Sequence, residues 1–238
     1  PFRELDLVDV PLAGALAVSW SGLIFLDSDA MFGAWSRDDP AAFDAVIAHE
    51  VAHLWWGASV GNDSNTHPFI NEGLATLCSI AALRLLDHPG EAAALDRWIL
   101  APAASLLAAG DAVVDLPANA PGDPSQRSRA IYAKSALAFL AIRAEIGDRA
   151  FWAALDDISR RFQFGIMTPS DLRAAFEAAS GQDLSATWTR WFDSASLTTD
   201  DLAAIAASLD DLAGRPRAGP AAAAAASPAA SPRRIIRF

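Results

Sequence analysis

The sequence predicts an α+β fold that is mainly helical, with a small β portion at its amino-terminal end. Residues 3–10 alternate polar and apolar side chains, and residues 22–27 form a short apolar run, two patterns that are typical of strands. From residue 40 onward, apolar residues recur at helical spacing between proline and glycine breaks. The β portion is therefore assigned to residues 1–35 and the helical part to residues 36–212.

The first predicted helix begins near Pro40, after acidic residues, and is predicted to end at Gly57. A turn-rich loop over residues 61–68 leads to a second helix from about Phe69 to Leu86. Further helices are predicted over residues 90–109, 129–146, 148–163, 168–180, 184–193 and 199–212.

Two segments are predicted to lack regular structure. Residues 110–128 carry scattered proline, glycine and asparagine, which indicates a long surface loop of a kind that is often functional. Residues 213–238 form a low-complexity Ala/Pro tail. Because this composition offers too little varied apolar surface for a packed core, we expect the tail to be disordered.

Composition limits the partners of the chain. Its 238 residues include 29 acidic and 18 basic side chains, which gives a net charge of −11. This balance argues against nucleic acid or an anionic membrane surface as the main partner, since nothing offsets the repulsion from phosphate groups. Cys78 is the only cysteine, which excludes an intrachain disulfide, and it is interpreted as a small buried hydrophobic residue.

No targeting or membrane-spanning segment is predicted. The apolar stretch over residues 10–26 begins beside Pro11 and is interrupted by glycines and serines, so a pair of buried strands fits it better than a membrane span. The first residue is Pro1, and no signal-peptide pattern follows it. The sequence is therefore interpreted as a soluble domain from a longer protein, whose localisation it does not indicate.

The stretch HEVAHLWWG at residues 49–57 holds the strongest chemical signal. His49 and His53 are four residues apart on the predicted helix, so both imidazoles leave the same face and can reach one zinc ion. Glu50 lies about 100° around the helix, where it can reach a water molecule without binding the metal. The alternative is that both histidines lie on the surface of an amphipathic helix.

A catalytic zinc site needs a third protein ligand and an open position. The segment NEGLA at residues 71–75 supplies a candidate in Glu72, which is separated from His53 by eighteen residues. That spacing leaves room for a loop and a return on an antiparallel helix. The alternative is that Glu72 only complements the positive end of its own helix dipole.

The segments VIAHEVAHLWWGASV and FINEGLATL, which contain these residues, resemble the gluzincin metallopeptidases of the membrane alanine aminopeptidase family. The family pattern is HExxH, eighteen residues, and then glutamate within an Asn-Glu-Gly segment. The similarity continues in IYAKSALAFLAIRAEIGDRAFWAAL and TPSDLRAAFEAASGQDLSATWTRWF, and it covers residues 3–195 in order. It implies a thermolysin-like zincin catalytic domain with a small N-terminal β portion and a C-terminal helical subdomain.

The resemblance also implies roles for individual residues. One zinc ion per chain would be held by His49, His53 and Glu72, with Glu50 as the general base. Tyr132 falls on the family's catalytic tyrosine, whose phenol donates a hydrogen bond to the tetrahedral oxyanion. The alternative for Tyr132 is a half-buried helix residue with its hydroxyl at the surface. The substrate implied by the resemblance is a peptide.

One position departs from the family pattern. The family's aminopeptidases carry a glutamate that holds the free amino group of the substrate, and this sequence has Ser19 there. No Asp or Glu occurs between Val10 and Phe25 to replace it. A serine cannot supply the anion that pairs with an ammonium ion, so the residues that bind the substrate are not identified by the resemblance.

The sequence therefore leaves more than one function open. The first is zinc-dependent peptide-bond hydrolysis of the aminopeptidase type. The second is a zinc-binding, peptidase-like domain of a larger membrane or regulatory protein, with altered or lost exopeptidase specificity. A third is hydrolysis of a non-peptide substrate. The resemblance implies additional domains in a full-length chain and allows a membrane association of that protein.

Overall fold

The computed structural model describes residues 2–29, 31 and 39–213, without the side chains of residues 209–213. Three short strands form the first sheet: β1 (Asp6–Val10), β2 (Ala17–Trp20) and β3 (Leu23–Asp27). The strand order is β1-β3-β2, with β1 parallel and β2 antiparallel to β3. The two predicted strands are confirmed with shorter bounds. The strand pair expected within residues 10–26 is present as β2 and β3, but β2 is only partly buried and β3 ends at Asp27.

The rest of the described chain is mainly helical, as predicted. The helices are α1 (Pro40–Ala52), α2 (Phe69–Leu85), α3 (Glu91–Leu95), α4 (Ala101–Ala108), α5 (Pro124–Arg129), α6 (Ser135–Ile146), α7 (Asp148–Arg161), α8 (Pro169–Ser180), α9 (Ser185–Trp191) and α10 (Thr199–Ala213). A second, two-stranded parallel sheet pairs β4 (Val60–Gly61) with β5 (Gly165–Ile166). None of the helices within the described residues is both long and apolar enough to cross a membrane.

Two helical connections were not predicted. Asp96–Leu100 joins α3 to α4 as a π-helical turn, and Ala130–Lys134 joins α5 to α6 in the same way. Each π turn holds one residue more per turn than an α-helix, and such turns are frequent at functional sites. The predicted helices over 90–109 and 129–146 are therefore interrupted in their hydrogen-bond pattern.

Other boundaries differ from the prediction. Helix α1 begins as expected, because Pro40 occupies its first turn and the Asp39 carboxylate accepts a hydrogen bond from the N–H of Ala42 at 3.0 Å. It ends at Ala52, before the predicted Gly57. The predicted loop over 110–128 is also shorter, since α5 begins at Pro124 behind the capping carboxylate of Asp123. The predicted tail lies outside the described residues, apart from residue 213.

The core lies around α2, which packs against α1 on one side and α6 on the other. Several aromatic rings meet there: Phe69, Phe139, Phe151, Phe176, Trp188 and Phe192. Phe69 and Phe139 are fully buried, and burial of each such side chain contributes about 1.5–3 kcal/mol to stability. A smaller core lies under the three-stranded sheet, where Ile24 and Leu26 pack towards Val46 of α1. The sheet is thereby held beside the helix that carries the two predicted histidine ligands.

Candidate metal centre

The two histidines of the sequence motif converge at the end of α1. His49 is in the last turn of the helix, and His53 follows as its capping residue, with its N–H still bonded to the carbonyl of His49 at 3.2 Å. Their Nε2 atoms are 3.0 Å apart. The four-residue spacing therefore places both imidazoles on one face, as predicted.

Glu72 completes the cluster from the first turn of α2. Its Oε2 atom lies 3.3 Å from Nε2 of His49 and 3.3 Å from Nε2 of His53. Its Oε1 atom accepts a hydrogen bond from Nδ2 of Asn71 at 2.9 Å, and Nδ2 of Asn62 donates to Oδ1 of Asn71 at 3.1 Å. This chain of amides leaves one carboxylate oxygen of Glu72 to face the imidazoles.

The three donors fit a zinc ion. With metal–ligand distances of 2.0–2.2 Å, ligand atoms in a tetrahedral site are about 3.3 Å from one another. The observed separations of 3.0, 3.3 and 3.3 Å match that value. Among the described residues, His49, His53 and Glu72 form the only cluster of at least three His, Cys, Asp or Glu side chains with this geometry. Two nitrogens and one carboxylate oxygen are also a donor set that zinc accepts.

The second ring nitrogen of each histidine has a partner as well. Nδ1 of His53 lies 2.9 Å from the carbonyl oxygen of Trp56. Gly57 follows Trp56 with a φ of 123°, a conformation that glycine adopts readily, where the chain turns after the helix. Nδ1 of His49 lies 3.5 Å from the Thr76 hydroxyl. Such contacts orient an imidazole and leave its Nε2 atom for a metal.

The charges in the cluster shift two pKa values. Burial alone would raise the pKa of Glu72, but hydrogen bonds and charge attraction from His49 and His53 lower it to about 2. For His53, burial works against protonation, yet the bond to Glu72 raises its pKa. Glu72 is therefore ionised over the whole physiological range, as a metal ligand must be.

Glu50 lies beside the cluster and is held by Ser19 of β2. Only 7% of Glu50 is exposed. The Ser19 hydroxyl lies 2.6 Å from Oε2 of Glu50 and 2.8 Å from the backbone carbonyl of the same residue. Sequence reasoning identified Ser19 by its position and did not foresee this contact. No local signal indicates it, because the two residues are 31 apart in the chain.

Tyr132 approaches from the π turn. Its ring centroid lies 6.0 Å from that of His49, and 40% of the residue is exposed. Burial of the hydroxyl, together with the nearby carboxylates of Glu72 and Glu50, raises the pKa of the phenol. The group is therefore protonated at neutral pH and able to donate a hydrogen bond.

Gly73 allows the two helices that carry Glu72 and Tyr132 to come this close. A Cβ atom at Gly73 would lie 2.2 Å from the Ser135 hydroxyl and 2.8 Å from the Ser135 Cβ. Any side chain would therefore push α2 away from the start of α6. The glycine of the Asn-Glu-Gly segment is required by this helix contact.

All the predicted site residues line one cleft of about 1090 Å³. The cleft is bounded by residues 14–21 around β2, by the carboxyl-terminal half of α1 and the amino-terminal half of α2, and by α5 with the π turn that follows it. Its volume lies slightly above the usual range of about 300–1,000 Å³ for small-molecule sites, which is enough for a short peptide. Trp20 and Trp98 add aromatic surface to its walls.

His67 and His88 each have a carboxylate partner outside the cluster. Nδ1 of His67 lies 2.5 Å from Oδ1 of Asp115, and Nε2 of His88 lies 2.9 Å from Oδ2 of Asp44. Asp156 and Asp157 form surface ion pairs within α7. Cys78 accepts a hydrogen bond from Nε1 of Trp56 at 3.4 Å, and burial raises the pKa of its thiol to about 11.

Sequence reasoning missed Lys134. This lysine is fully buried, and its Nζ donates to both carboxylate oxygens of Asp111, at 3.0 and 2.8 Å, and to the carbonyls of Ala112 and Ser194, at 2.7 and 2.9 Å. It therefore ties the π turn of Tyr132 to two distant segments. The signal was available, because a lysine two residues after the tyrosine on a helix points away from the cleft.

Comparisons with known proteins bear on the family and the fold of the chain. The family model described as Peptidase family M1 domain matches residues 1–191. Aminopeptidase N from Streptomyces lividans is 27% identical over 215 residues, which is 83% of this chain and 24% of that protein. Aminopeptidase M1-B from Oryza sativa subsp. japonica is 28% identical over 201 residues, 80% of this chain and 23% of that protein. The chain thus spans about a quarter of these relatives.

Solved structures share the fold. The M1 zinc metallopeptidase from Deinococcus radiodurans superimposes with a TM-score of 0.62 at 21% identity, over 82% of this chain and 40% of that one. Aminopeptidase A from Legionella pneumophila, solved in complex with aspartic acid, gives a TM-score of 0.54 at 19% identity, over 79% of this chain and 21% of that one.

Proposed function

The chain belongs to peptidase family M1, and on this premise we propose that it is the catalytic part of a zinc-dependent peptidase of the aminopeptidase type. One observation carries the proposal. Two imidazole nitrogens and one carboxylate oxygen converge within 3.3 Å of one another, and a second carboxylate and a protonated phenol lie beside them. Zinc, one ion per chain, would be held by His49, His53 and Glu72.

The reaction follows from these groups. Zinc, when bound, lowers the pKa of water to about 7 and polarises the scissile carbonyl. Glu50 would accept a proton from the attacking water and pass it to the departing amine. Tyr132 would donate a hydrogen bond to the oxygen that becomes negatively charged in the transition state. The buried setting of Glu50 and its contact with Ser19 support this role, because they hold the carboxylate in one orientation.

The finer organisation is also part of the proposal. We assign a thermolysin-like zincin domain to residues 1–212, with the β portion over 1–35 and the zinc-site helices and a helical subdomain over 36–212. The similarity of fold to M1 metallopeptidases supports this assignment. Because the chain spans about a quarter of its relatives, we expect additional domains of a full-length protein to wall the cleft. Membrane association of such a protein stays a sequence prediction.

A second candidate is a peptidase-like domain with altered exopeptidase specificity. Ser19 favours it, because the hydroxyl is bonded to Glu50 and carries no charge for a substrate ammonium group. Among the described residues that line the cleft, the only carboxylates are Glu50 and Glu72. Both belong to the catalytic cluster, so neither is an independent anchor for a free amino terminus.

Two measurements test these proposals on the purified chain. Metal analysis should find one zinc per chain, lost on chelation together with activity. Hydrolysis of a peptide with a free amino terminus should then be compared with that of its acetylated form. A strong preference for the free form supports the aminopeptidase type, and equal rates support the second candidate. A chain that neither binds zinc nor cleaves either peptide contradicts both.

A further inference from the structure

One helical face forms a wall of the cleft. Ser125, Ser128, Arg129, Tyr132 and Ala133 all line it. Their spacing of three and four residues places them on one side of α5 and the π turn. Tyr132 is the member of this face that lies against His49. Arg129 is three residues earlier, which places it about 4.5 Å from Tyr132 along the helix axis.

Arg129 differs from the neighbouring arginines. Arg84 is paired with Glu91, Arg97 with Asp39, and Arg127 donates to the carbonyl of Ala120. Arg129 is half-buried and has no ion pair or hydrogen bond with any residue in the described ranges. Arg3 and Arg149 also lack such partners there, but both are exposed and away from the cleft.

The charge of the cleft makes this observation informative. Its charged or titratable lining residues within the described part are His49, Glu50, His53, Glu72, Arg129 and Tyr132, and of these only Arg129 is permanently cationic. Glu72 faces the two imidazoles and Glu50 is bonded to Ser19, so neither is paired with Arg129. In a chain with a net charge of −11, Arg129 thus adds to the cleft wall a positive charge that no described residue pairs. A charged group that loses contact with water when a ligand binds is stabilised by an oppositely charged partner, and a carboxylate of the ligand would supply that partner here.

We propose that Arg129 binds a carboxylate of the peptide substrate and selects substrates that carry one. This inference rests on the proposed function and specifies its substrate class. A guanidinium offers paired N–H groups that match a carboxylate in a planar, two-bond contact. An extended peptide advances about 3.3–3.6 Å per residue, so the carboxylate lies one or two residues from the bond that is cleaved. It is either an acidic side chain or the carboxyl terminus of a short peptide.

The test compares matched substrates with matched variants. Each zinc-loaded protein is given peptides with Glu or Gln next to the cleaved bond, and with a free or an amidated carboxyl terminus. We expect Arg129→Gln to lower the ratio of kcat/KM for the carboxylate peptide over its neutral partner by about ten- to hundredfold. Arg129→Lys should keep part of this ratio, because lysine retains the positive charge but lacks the paired N–H groups of a planar guanidinium. Arg149→Gln is the control and should keep the wild-type ratio.

The two peptide pairs identify the source of the carboxylate. If Arg129→Gln lowers the kcat/KM ratio only for the Glu/Gln pair, Arg129 binds an acidic side chain. If it lowers the ratio only for the free/amidated pair, Arg129 binds the carboxyl terminus of short peptides. If neither ratio changes in Arg129→Gln while that variant melts like the wild type, the proposal is wrong.

A binding measurement separates this proposal from the proposed function. The tryptophan fluorescence of the wild type and of Arg129→Gln is titrated with the same four peptides, since Trp20 and Trp98 line the cleft. Carboxylate-dependent binding that is lost in Arg129→Gln supports the proposal even if no peptide is hydrolysed. Hydrolysis without any carboxylate preference in binding or in kcat/KM supports the proposed function and overturns the role of Arg129.

Discussion

Replacement of Ser19 by alanine tests whether the hydroxyl orients Glu50. The substitution removes one donor from a carboxylate that is 7% exposed, and leaves β2 and its pairing with β3 intact. Because the Ser19 hydroxyl contacts Glu50 and none of the proposed zinc ligands, the zinc content of the variant should be unchanged. The expected loss is therefore in kcat, with KM nearly constant, since the interaction acts on the transition state more than on substrate binding.

The size of the effect follows from the geometry. A hydrogen bond to a charged group contributes about 1.5–3 kcal/mol. The Ser19 hydroxyl has a single hydrogen and two acceptors, Oε2 of Glu50 at 2.6 Å and its carbonyl oxygen at 2.8 Å. Because one hydrogen serves both acceptors, we expect the hydrogen bond to the carboxylate alone to contribute about 1–2 kcal/mol. With tenfold in rate for each 1.4 kcal/mol, kcat should fall about five- to thirtyfold.

The assay is steady-state hydrolysis of a chromogenic peptide by zinc-loaded protein, with zinc content and thermal melting measured on the same samples. Ser19→Thr keeps the hydroxyl, and threonine is well tolerated in a strand, so it should recover most of the rate. On a Glu50→Gln background, Ser19→Ala should lower the residual rate no further. A change in kcat of less than twofold, or a rise in KM with kcat unchanged, would refute the orienting role.

Further predictions concern the other groups of the site. Glu50→Gln should lower kcat by about 10²–10⁴-fold with one zinc retained, and a rate near that of the wild type would remove Glu50 from proton transfer. Tyr132→Phe should lower kcat by about 10²–10³-fold without a change in melting, and an unchanged rate would favour a purely structural tyrosine. Lys134→Met should destabilise the fold by about 3–5 kcal/mol, measured by urea unfolding, because Asp111 is left as an unpaired buried charge. A loss below 1 kcal/mol would show that water or rearrangement replaces this ion pair.

The sequence could predict the parts of the site that depend on local spacing. His49, Glu50 and His53 are placed by helix geometry, and Glu72 by a loop that returns on the next helix. The end of α1 was predicted too late, since Gly57 lies in the turn that follows the helix and not at the helix end itself. Tyr132 was assigned only through the resemblance, because no spacing rule links it to the histidines. Its segment is also a π turn, which side-chain periodicity does not reveal.

What the sequence could not predict are the contacts that orient these groups. The Ser19–Glu50 contact joins a strand to a helix across 31 residues, and the Lys134–Asp111 pair spans 23. Such contacts depend on how separate elements pack, and composition or periodicity carries no record of that packing. The Asn62–Asn71–Glu72 chain is more local, but its direction depends on which way two amides face.

The two proposed catalytic side chains, Glu50 and Tyr132, are each fixed from the side that faces away from the substrate. Residues two apart on a helix point roughly 200° away from each other, so the buried Lys134 lies behind Tyr132. Its hydrogen bonds to Asp111, Ala112 and Ser194 resist rotation of the π turn and thereby hold the Tyr132 ring beside His49. Ser19 restrains Glu50 from the sheet in the same way. Contacts within this chain therefore restrain both of the proposed catalytic side chains.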